Sequence, residues 1–199
     1  MTVVNITSLI DPSARLATVE WLDQLEDIGV DHGHFEPLGP DHSAVYIAGG
    51  PCLLVTFETI ATARGRAHSD VPLGWELAQD KGWSQLCILS HSETWFRHRA
   101  LYEYFDRLVD DGYFDDFDRV VFYGAGSCGY AAAAYSVAAP GASVIAVRPQ
   151  ATLDPRVTEW DHRFNHMRRV SFTDRYGYAP DLLDAAQEAE MREAAEKMA

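Results

Sequence analysis

The residues with the clearest chemical potential lie in one glycine-rich segment, residues 124–129. An apolar segment runs directly into it, and an alanine-rich segment follows. If the backbone turns sharply there, Ser127 is presented as a nucleophile, since its neighbours two positions away, Ala125 and Gly129, are small enough for a strained strand-to-helix turn. The N–H of Cys128, at the start of the following helix, then donates to a developing oxyanion.

The same segment admits a second chemistry, the binding of a dinucleotide. Gly124, Gly126 and Gly129 have the spacing that places a pyrophosphate at a helix N-terminus. Arg148 follows the next apolar segment, where an arginine would accommodate the 2′-phosphate of NADP. A third interpretation is a glycine-rich turn with a packing role in a catalytically silent domain. The spacing by itself leaves all three open.

Acyl transfer also needs a base, an orienting acid and a second oxyanion donor. Glu58 and His91 follow apolar segments, at strand ends where ligands lie in open parallel sheets, and an amide near residues 57–59 is the predicted second donor. His162 and His166 are further base candidates, because no histidine follows them. They stand four residues apart without the glutamate of a zinc-protease helix, so we predict no metal site.

Short apolar segments alternate with amphipathic ones and must position these residues. The predicted strands cover residues 44–48, 52–57, 85–89, 120–123 and 143–147, and the predicted helices 13–27, 73–81, 94–110 and 130–137. The β-α-β-α-β order indicates an α/β fold, a three-layer sandwich with a mostly parallel sheet of about five strands. Gly49-Gly50-Pro51 predicts a tight hairpin between the first two strands. Residues 31–41, with His42, predict a solvated polar loop.

The sequence divides near residue 180. Residues 1–180 are predicted to form a single α/β domain, and residues 181–199 an acidic helix packed on it or extending from it. Four residues of that helix form an apolar stripe: Leu182, Leu183, Ala186 and Ala189. Such a stripe can dock on the domain or on another chain, so a protein partner is predicted there.

Composition narrows the class of protein. The chain has 199 residues and is 47% hydrophobic, as expected for a globular domain. Its net charge of −14 repels phosphate backbones and anionic lipid, so we predict neither a nucleic-acid nor a membrane partner. No apolar run approaches the ~20 residues of a membrane span, and the first residues lack the pattern of a signal peptide. Three cysteines suit reduced thiols in the cytoplasm.

Residues 123–134 and 144–155 resemble a group of bacterial α/β-hydrolase-like proteins, many of them encoded among surface-polysaccharide or secretion functions. The pattern of that group is a strand, Gly-x-Ser-x-Gly-Gly-Tyr-Ala, a helix, and a strand that ends in Pro-Gln and then Asp-Pro. The similarity covers about residues 44–180, and Ser92-x-x-Trp95-Phe96 is similar to the group's helix start. Some similar sequences carry the label phosphoadenosine phosphosulfate reductase, but the cysteine motif of that family is absent here.

This resemblance implies an α/β-hydrolase-like fold and, for an active member, an acyl-ester hydrolase or acyltransferase that acts on a small ester or acyl substrate through Ser127 without a cofactor. A hydrolase triad continues with an acid and then a histidine after later strands. This chain has no clear strand after Phe172 and no histidine after His166, so it resembles the front part of such a domain with an incomplete triad. Whether it is an enzyme stays open, beside an NADP-binding module and a silent interaction domain.

Overall fold

One six-stranded sheet organises the chain. The computed structural model describes residues 17–65, 70–150, 152–154, 158, 160–164, 167 and 175–176. The strands are β1 (Gly33–Pro37), β2 (His42–Ile47), β3 (Gly50–Thr59), β4 (Trp83–Ser90), β5 (Arg119–Ala125) and β6 (Ser143–Val147). The helices are α1 (Thr18–His32), α2 (Ile60–Arg64), α3 (Leu73–Lys81), α4 (Arg99–Asp110) and α5 (Ser127–Tyr135), with short 3-10 helices at Tyr113–Asp116 and Ser136–Ala138.

The strand order across the sheet is β1-β2-β4-β3-β5-β6. The last four of these strands run parallel, whereas β2 is antiparallel to both of its neighbours. The prediction of an α/β fold with a mostly parallel sheet is confirmed. The sheet has one strand more than expected, because β1 lies in the segment predicted as a polar loop. It is a half-exposed edge strand and therefore lacks the apolar pattern that identifies a buried one.

The predicted hairpin at residues 49–51 is wrong, because β4 lies between β2 and β3. The two glycines instead let the chain cross the start of β4 at close range. A Cβ at Gly49 would lie 2.3 Å from the carbonyl oxygen of Trp83, and one at Gly50 would lie 2.5 Å from that of Gly82. Paired glycines mark both a tight turn and a close backbone crossing, and only the pairing partner distinguishes the two.

Helices cover both faces of the sheet and make three layers. On one face α4 and α5 pack over the strands around Phe57, Phe105 and Phe122, each at most 1% exposed. On the other face α1, α2 and α3 enclose a second core around Trp21, Trp75 and Cys87. The central strands are nearly continuous apolar runs because they are buried on both sides.

Helix α4 begins five residues later than predicted, because the loop before it is held in an unusual conformation. Trp95 and Phe96 have left-handed backbone, with φ of 55° and 56°. Both side chains are buried, at 3% and 1% exposure, so packing compensates the strain of about 1–3 kcal/mol per residue. The helix is then capped by His98, whose Nδ1 accepts from the Ala100 N–H at 3.2 Å.

The last described residues still belong to this domain. Tyr176 is 1% exposed and stacks on Tyr135 with ring centroids 4.7 Å apart. The predicted boundary at residue 180 and the helix over residues 181–199 lie outside the described residues and stay predictions. Among the described helices, none combines the length and the apolar character that crossing a bilayer requires.

Candidate functional site at the carboxyl edge of the sheet

A single residue, Gly126, connects β5 to α5. Its backbone has φ 60° and ψ −125°, a conformation that glycine adopts without cost. Gly126 is exposed, and a Cβ built on it would meet no atom within 4 Å. The strained position of the strand-to-helix turn therefore faces open space but carries no side chain.

The other two glycines of the segment have a packing role. A Cβ at Gly124 would lie 2.1 Å from the carbonyl oxygen of Cys128, and one at Gly129 would lie 3.1 Å from that of Gly124. These contacts bring the first turn of α5 directly against the end of β5. Close packing of this kind serves a nucleophile turn and a dinucleotide fingerprint equally well, which explains why the sequence fitted both patterns.

Ser127 is the first residue of α5, one position after the strained residue, and is half-buried. Its hydroxyl is one of the groups that lower the pKa of the neighbouring Cys128 thiol. Within the described part of the chain, no histidine ring contacts this hydroxyl through a hydrogen bond. The role of Ser127 as a nucleophile stays a prediction, and the dihedral angles place the elbow one residue earlier.

The motif that carries the family resemblance already indicates that the strained position is Gly126, one residue before Ser127. The pattern Gly-x-Ser-x-Gly-Gly-Tyr-Ala can be aligned on its last three residues, which correspond to Gly129, Tyr130 and Ala131. In that register its serine falls on Gly126 and its first glycine on Gly124. Centring the motif on the serine that this chain contains concealed the register that the backbone adopts.

The side chain of Cys128 lies in the core, at 6% exposure. Burial, reinforced by the charge of Glu58, raises the pKa of its thiol to about 12, against hydrogen bonds from the Ser127 hydroxyl and the Thr59 N–H that lower it. A thiol of this kind stays protonated near neutral pH and is not a nucleophile. Cys128 was predicted as a site residue because of its backbone N–H. Its side chain supplies no nucleophile.

We expect iodoacetamide at about pH 8 to leave Cys128 unmodified in the native protein and to modify it fully in guanidinium chloride, because only an accessible thiolate reacts. Peptide mass spectrometry measures the extent of modification. The matched control is Ser92→Cys, which adds an exposed thiol after β4 and should react within minutes. Modification of Cys128 as fast as that control would contradict the burial described here.

The segment predicted to supply a second oxyanion donor is engaged in capping α2. The Thr59 N–H donates to Thr62 Oγ1 at 3.0 Å, and the Thr62 N–H donates to Thr59 Oγ1 at 3.1 Å. This reciprocal pair satisfies donors at the helix start. The Thr59 amide therefore has a partner inside the fold, and its role as an oxyanion donor stays a prediction.

Glu58, a candidate acid or base, is 5% exposed at the end of β3. Its Oε2 accepts a hydrogen bond from the N–H of Leu73 at 3.0 Å. Leu73 is the first residue of α3, so the carboxylate lies at the positive end of that helix dipole. The observed contact assigns Glu58 a part in positioning α3 against the sheet.

Neither of the two described histidine candidates, His91 and His162, forms a hydrogen bond with Ser127. His91 Nε2 lies 2.9 Å from Ser43 Oγ on β2, which is on the side of β4 away from β5. Burial lowers the pKa of His91, with partial compensation from the carbonyl of Pro40. His162 is exposed, and His166 lies outside the described residues.

A histidine that the sequence assigned to a solvated loop is one of the most buried polar groups near this edge. His42 has 0% exposure, and its Nε2 lies 2.7 Å from Thr94 Oγ1. Thr94 Oγ1 also accepts from the Phe96 N–H at 3.1 Å, so the two residues anchor the left-handed loop before α4. Burial, followed by the neighbouring His98, lowers the pKa of His42 to about 4.

The NADP-binding residues of the second interpretation also lie at this edge. Arg148 follows β6, is exposed, and has a left-handed φ of 48°. It is adjacent to the glycine turn because the Gly126 N–H donates to the carbonyl oxygen of Val147 at 2.9 Å. The geometry brings Gly126 and Arg148 together, and binding of a dinucleotide stays a prediction.

The segment after β6 contains a buried carboxylate, Asp161, with two side-chain hydrogen-bond donors. Asp161 is 3% exposed and accepts from Gln150 Nε2 and, at 2.7 Å, from Arg163 Nη2. The hydrogen bond from Arg163 is the main reason that the pKa of Asp161 is lowered. These contacts join Gln150, Asp161 and Arg163 to one another. Across the described ranges, no three histidine, cysteine or carboxylate side chains gather as metal ligands would.

Comparisons with known proteins give several weak structural likenesses, two of which follow. No protein-family model and no curated protein matches the chain. A Glycosylation Associate Protein (Gap123) complex from Streptococcus agalactiae is 13% identical with a TM-score of 0.44, over 82% of this chain and 32% of that one. A hyperthermophilic esterase from the archaeon Pyrobaculum calidifontis is 12% identical with a TM-score of 0.38, over 95% of this chain and 66% of that one. The chain thus spans about a third and just under two thirds of their lengths. At these TM-scores, neither likeness bears on function.

Proposed function

We propose that this chain is an α/β-hydrolase-like domain that acts by recognition and carries out no covalent catalysis. One observation supports this above the others. The position that presents a nucleophile on such a turn is occupied by Gly126, whose backbone has the required strained conformation and whose missing side chain would point into open space.

The surroundings of Ser127 agree with this proposal. Among the described residues no imidazole hydrogen-bonds its hydroxyl, whereas an activated serine contacts an imidazole base. Glu58 binds the start of α3, and His91 points towards Ser43. Each candidate acid or base that the structure describes, apart from the exposed His162, is therefore engaged elsewhere.

The proposal is tested with a fluorophosphonate probe on the native protein. We expect no labelling of the wild type or of Ser127→Ala, beside full labelling of an active serine hydrolase in a parallel reaction, because the hydroxyl has no hydrogen-bonded base among the residues that the structure describes. Labelling that disappears in Ser127→Ala would overturn the proposal. A thermal shift with NADPH but not NADH would instead support the dinucleotide interpretation.

The second candidate function is a serine acyl-ester hydrolase or acyltransferase that uses Ser127. The observation in its favour is the first turn of α5, where the N–H groups of residues 127–129 precede the first intrahelical bond, from Tyr130 N to Gly126 O at 3.0 Å. Donors of this kind stabilise an oxyanion. This candidate predicts a burst of product from an activated ester, followed by slow turnover, and the loss of both in Ser127→Ala.

A further inference from the structure

Within the described part of the chain, the outer edge of β6 lacks the protection that proteins give to an exposed strand. Among the described strands, β6 pairs with β5 alone. Val144, Ile145 and Val147 are 38%, 52% and 40% exposed, on both faces of the sheet. The strand contains no proline and no charged residue, the features that prevent an open edge from pairing.

The sheet face beside this edge carries apolar side chains that are buried. On the face opposite α5, the described helices pack on β1 to β4. Beside them lies a small apolar cluster of Cys52, Leu54 and Val121, bordered by the half-buried Trp83 and Tyr123. Cys52, Leu54 and Val121 are 9%, 2% and 7% exposed, so the exposed apolar surface on this side of the sheet lies at the β6 edge. The strands of a parallel sheet are normally buried, and the β6 edge is the place where a further segment would bury apolar side chains.

The start of α1 lies close enough for the chain before it to reach this region. Arg64 Nη1 of α2 donates to Thr18 Oγ1 at 3.1 Å, which places the start of α1 beside the end of β3. Three strand spacings, about 15 Å, separate β3 from the position outside β6. Residues 11–17 can span up to about 24 Å when extended.

The segment that would arrive there has the composition of a strand. Residues 2–10 read Thr-Val-Val-Asn-Ile-Thr-Ser-Leu-Ile, which is uncharged and rich in β-branched side chains. The C-terminal segment is a poorer match, because it leaves from Tyr176 on the opposite face and its acidic, alanine-rich composition favours a helix.

We propose that residues 2–10 pair with the free edge of β6 as a further strand of the same sheet. The chain would thereby cover its own apolar edge, and the apolar side chains of both segments would leave the solvent. No partner chain is needed to complete the sheet at this side.

Two amides report on this pairing. The carbonyl oxygen of Val147 faces β5, where it accepts from Gly126, and alternate residues of a strand point to opposite sides. Val144 and Ala146 therefore direct their N–H groups to the free edge. In the full chain we expect both amides to exchange with solvent roughly 100-fold more slowly than in an unstructured peptide. Exchange at the unstructured rate would overturn the proposal.

A pair of matched variants identifies the covering segment. Val4→Asp with Ile6→Asp replaces two of the three apolar side chains on one face of residues 2–10, so the amides of Val144 and Ala146 should lose their slow exchange while those of β4 keep it. Asn5→Asp with Thr7→Asp adds the same charge on the opposite face, at two positions that are already polar and lie between Val3 and Leu9, and should preserve the slow exchange. Slow exchange that survives the first variant, or that appears only at high protein concentration, would show that another segment or a second copy covers the edge, and would overturn the proposal.

Discussion

Gly124→Ala is expected to lower the free energy of unfolding by at least about 3 kcal/mol. The new Cβ would lie 2.1 Å from the carbonyl oxygen and 2.4 Å from the carbonyl carbon of Cys128. Both are backbone atoms, so the clash is relieved only when α5 moves as a unit. Every residue of α5 after Ser127 is buried, and any such movement opens the core around Tyr130 and Tyr135. Urea denaturation followed by far-UV circular dichroism measures the loss.

The matched control is Gly126→Ala, two residues along. A Cβ at this position meets no atom within 4 Å, so the cost comes only from the left-handed backbone and is about 1–2 kcal/mol. The two variants add the same methyl group to the same turn. Equal losses of stability would contradict the close approach of α5 to β5 and, with it, the geometry of the candidate site.

Between about pH 6.5 and pH 4, the protein is expected to lose about 3 kcal/mol of stability through His42 alone. Burial, the neighbouring His98 and, to a smaller extent, His91 disfavour the charged imidazole and lower its pKa to about 4, although Asp41 acts in the opposite direction. In this interval the imidazole of His42 binds a proton in the unfolded chain and stays neutral in the folded chain. The contribution is therefore complete above pH 6.5, decreases as the pH falls, and stops changing below about pH 4.

Urea denaturation across this pH range measures the effect as a slope. In His42→Gln the decline should be shallower by about 3 kcal/mol over the interval, whatever the stability of the variant at neutral pH. His162→Gln removes an exposed histidine and should keep the wild-type slope. If the free energy of unfolding of the wild type and of His42→Gln fell in parallel with pH, the imidazole of His42 would not be the cause of the loss of stability in acid. Since His42 anchors the loop of Trp95, the fluorescence of that indole in the folded protein should change only around pH 4, where the folded imidazole takes up its proton.

Local patterns predicted most elements well. Helix α3 and strand β6 have the predicted bounds, because each is a short periodic or apolar run that glycine or proline delimits. The order of strands in the sheet was beyond local patterns, since the insertion of β4 between β2 and β3 depends on contacts distant in sequence. The delayed start of α4 has the same origin, because packing between distant elements holds Trp95 and Phe96 in backbone conformations that their residue types disfavour.

The sequence by itself determined where the candidate site would lie, because glycines at positions 124 and 129 have few uses other than a close strand-to-helix approach. Tertiary structure alone decided which residue of that segment occupies the strained position. The N–H of Gly126 donates to the carbonyl oxygen of Val147 at the end of β6, so Gly126 still lies beside the sheet. Helix α5 begins at the next residue, Ser127. The partners of Glu58, His91 and His42 were decided in the same way. The polarity of a side chain is written in the sequence, but the group it meets depends on which distant segments the folded chain brings beside it.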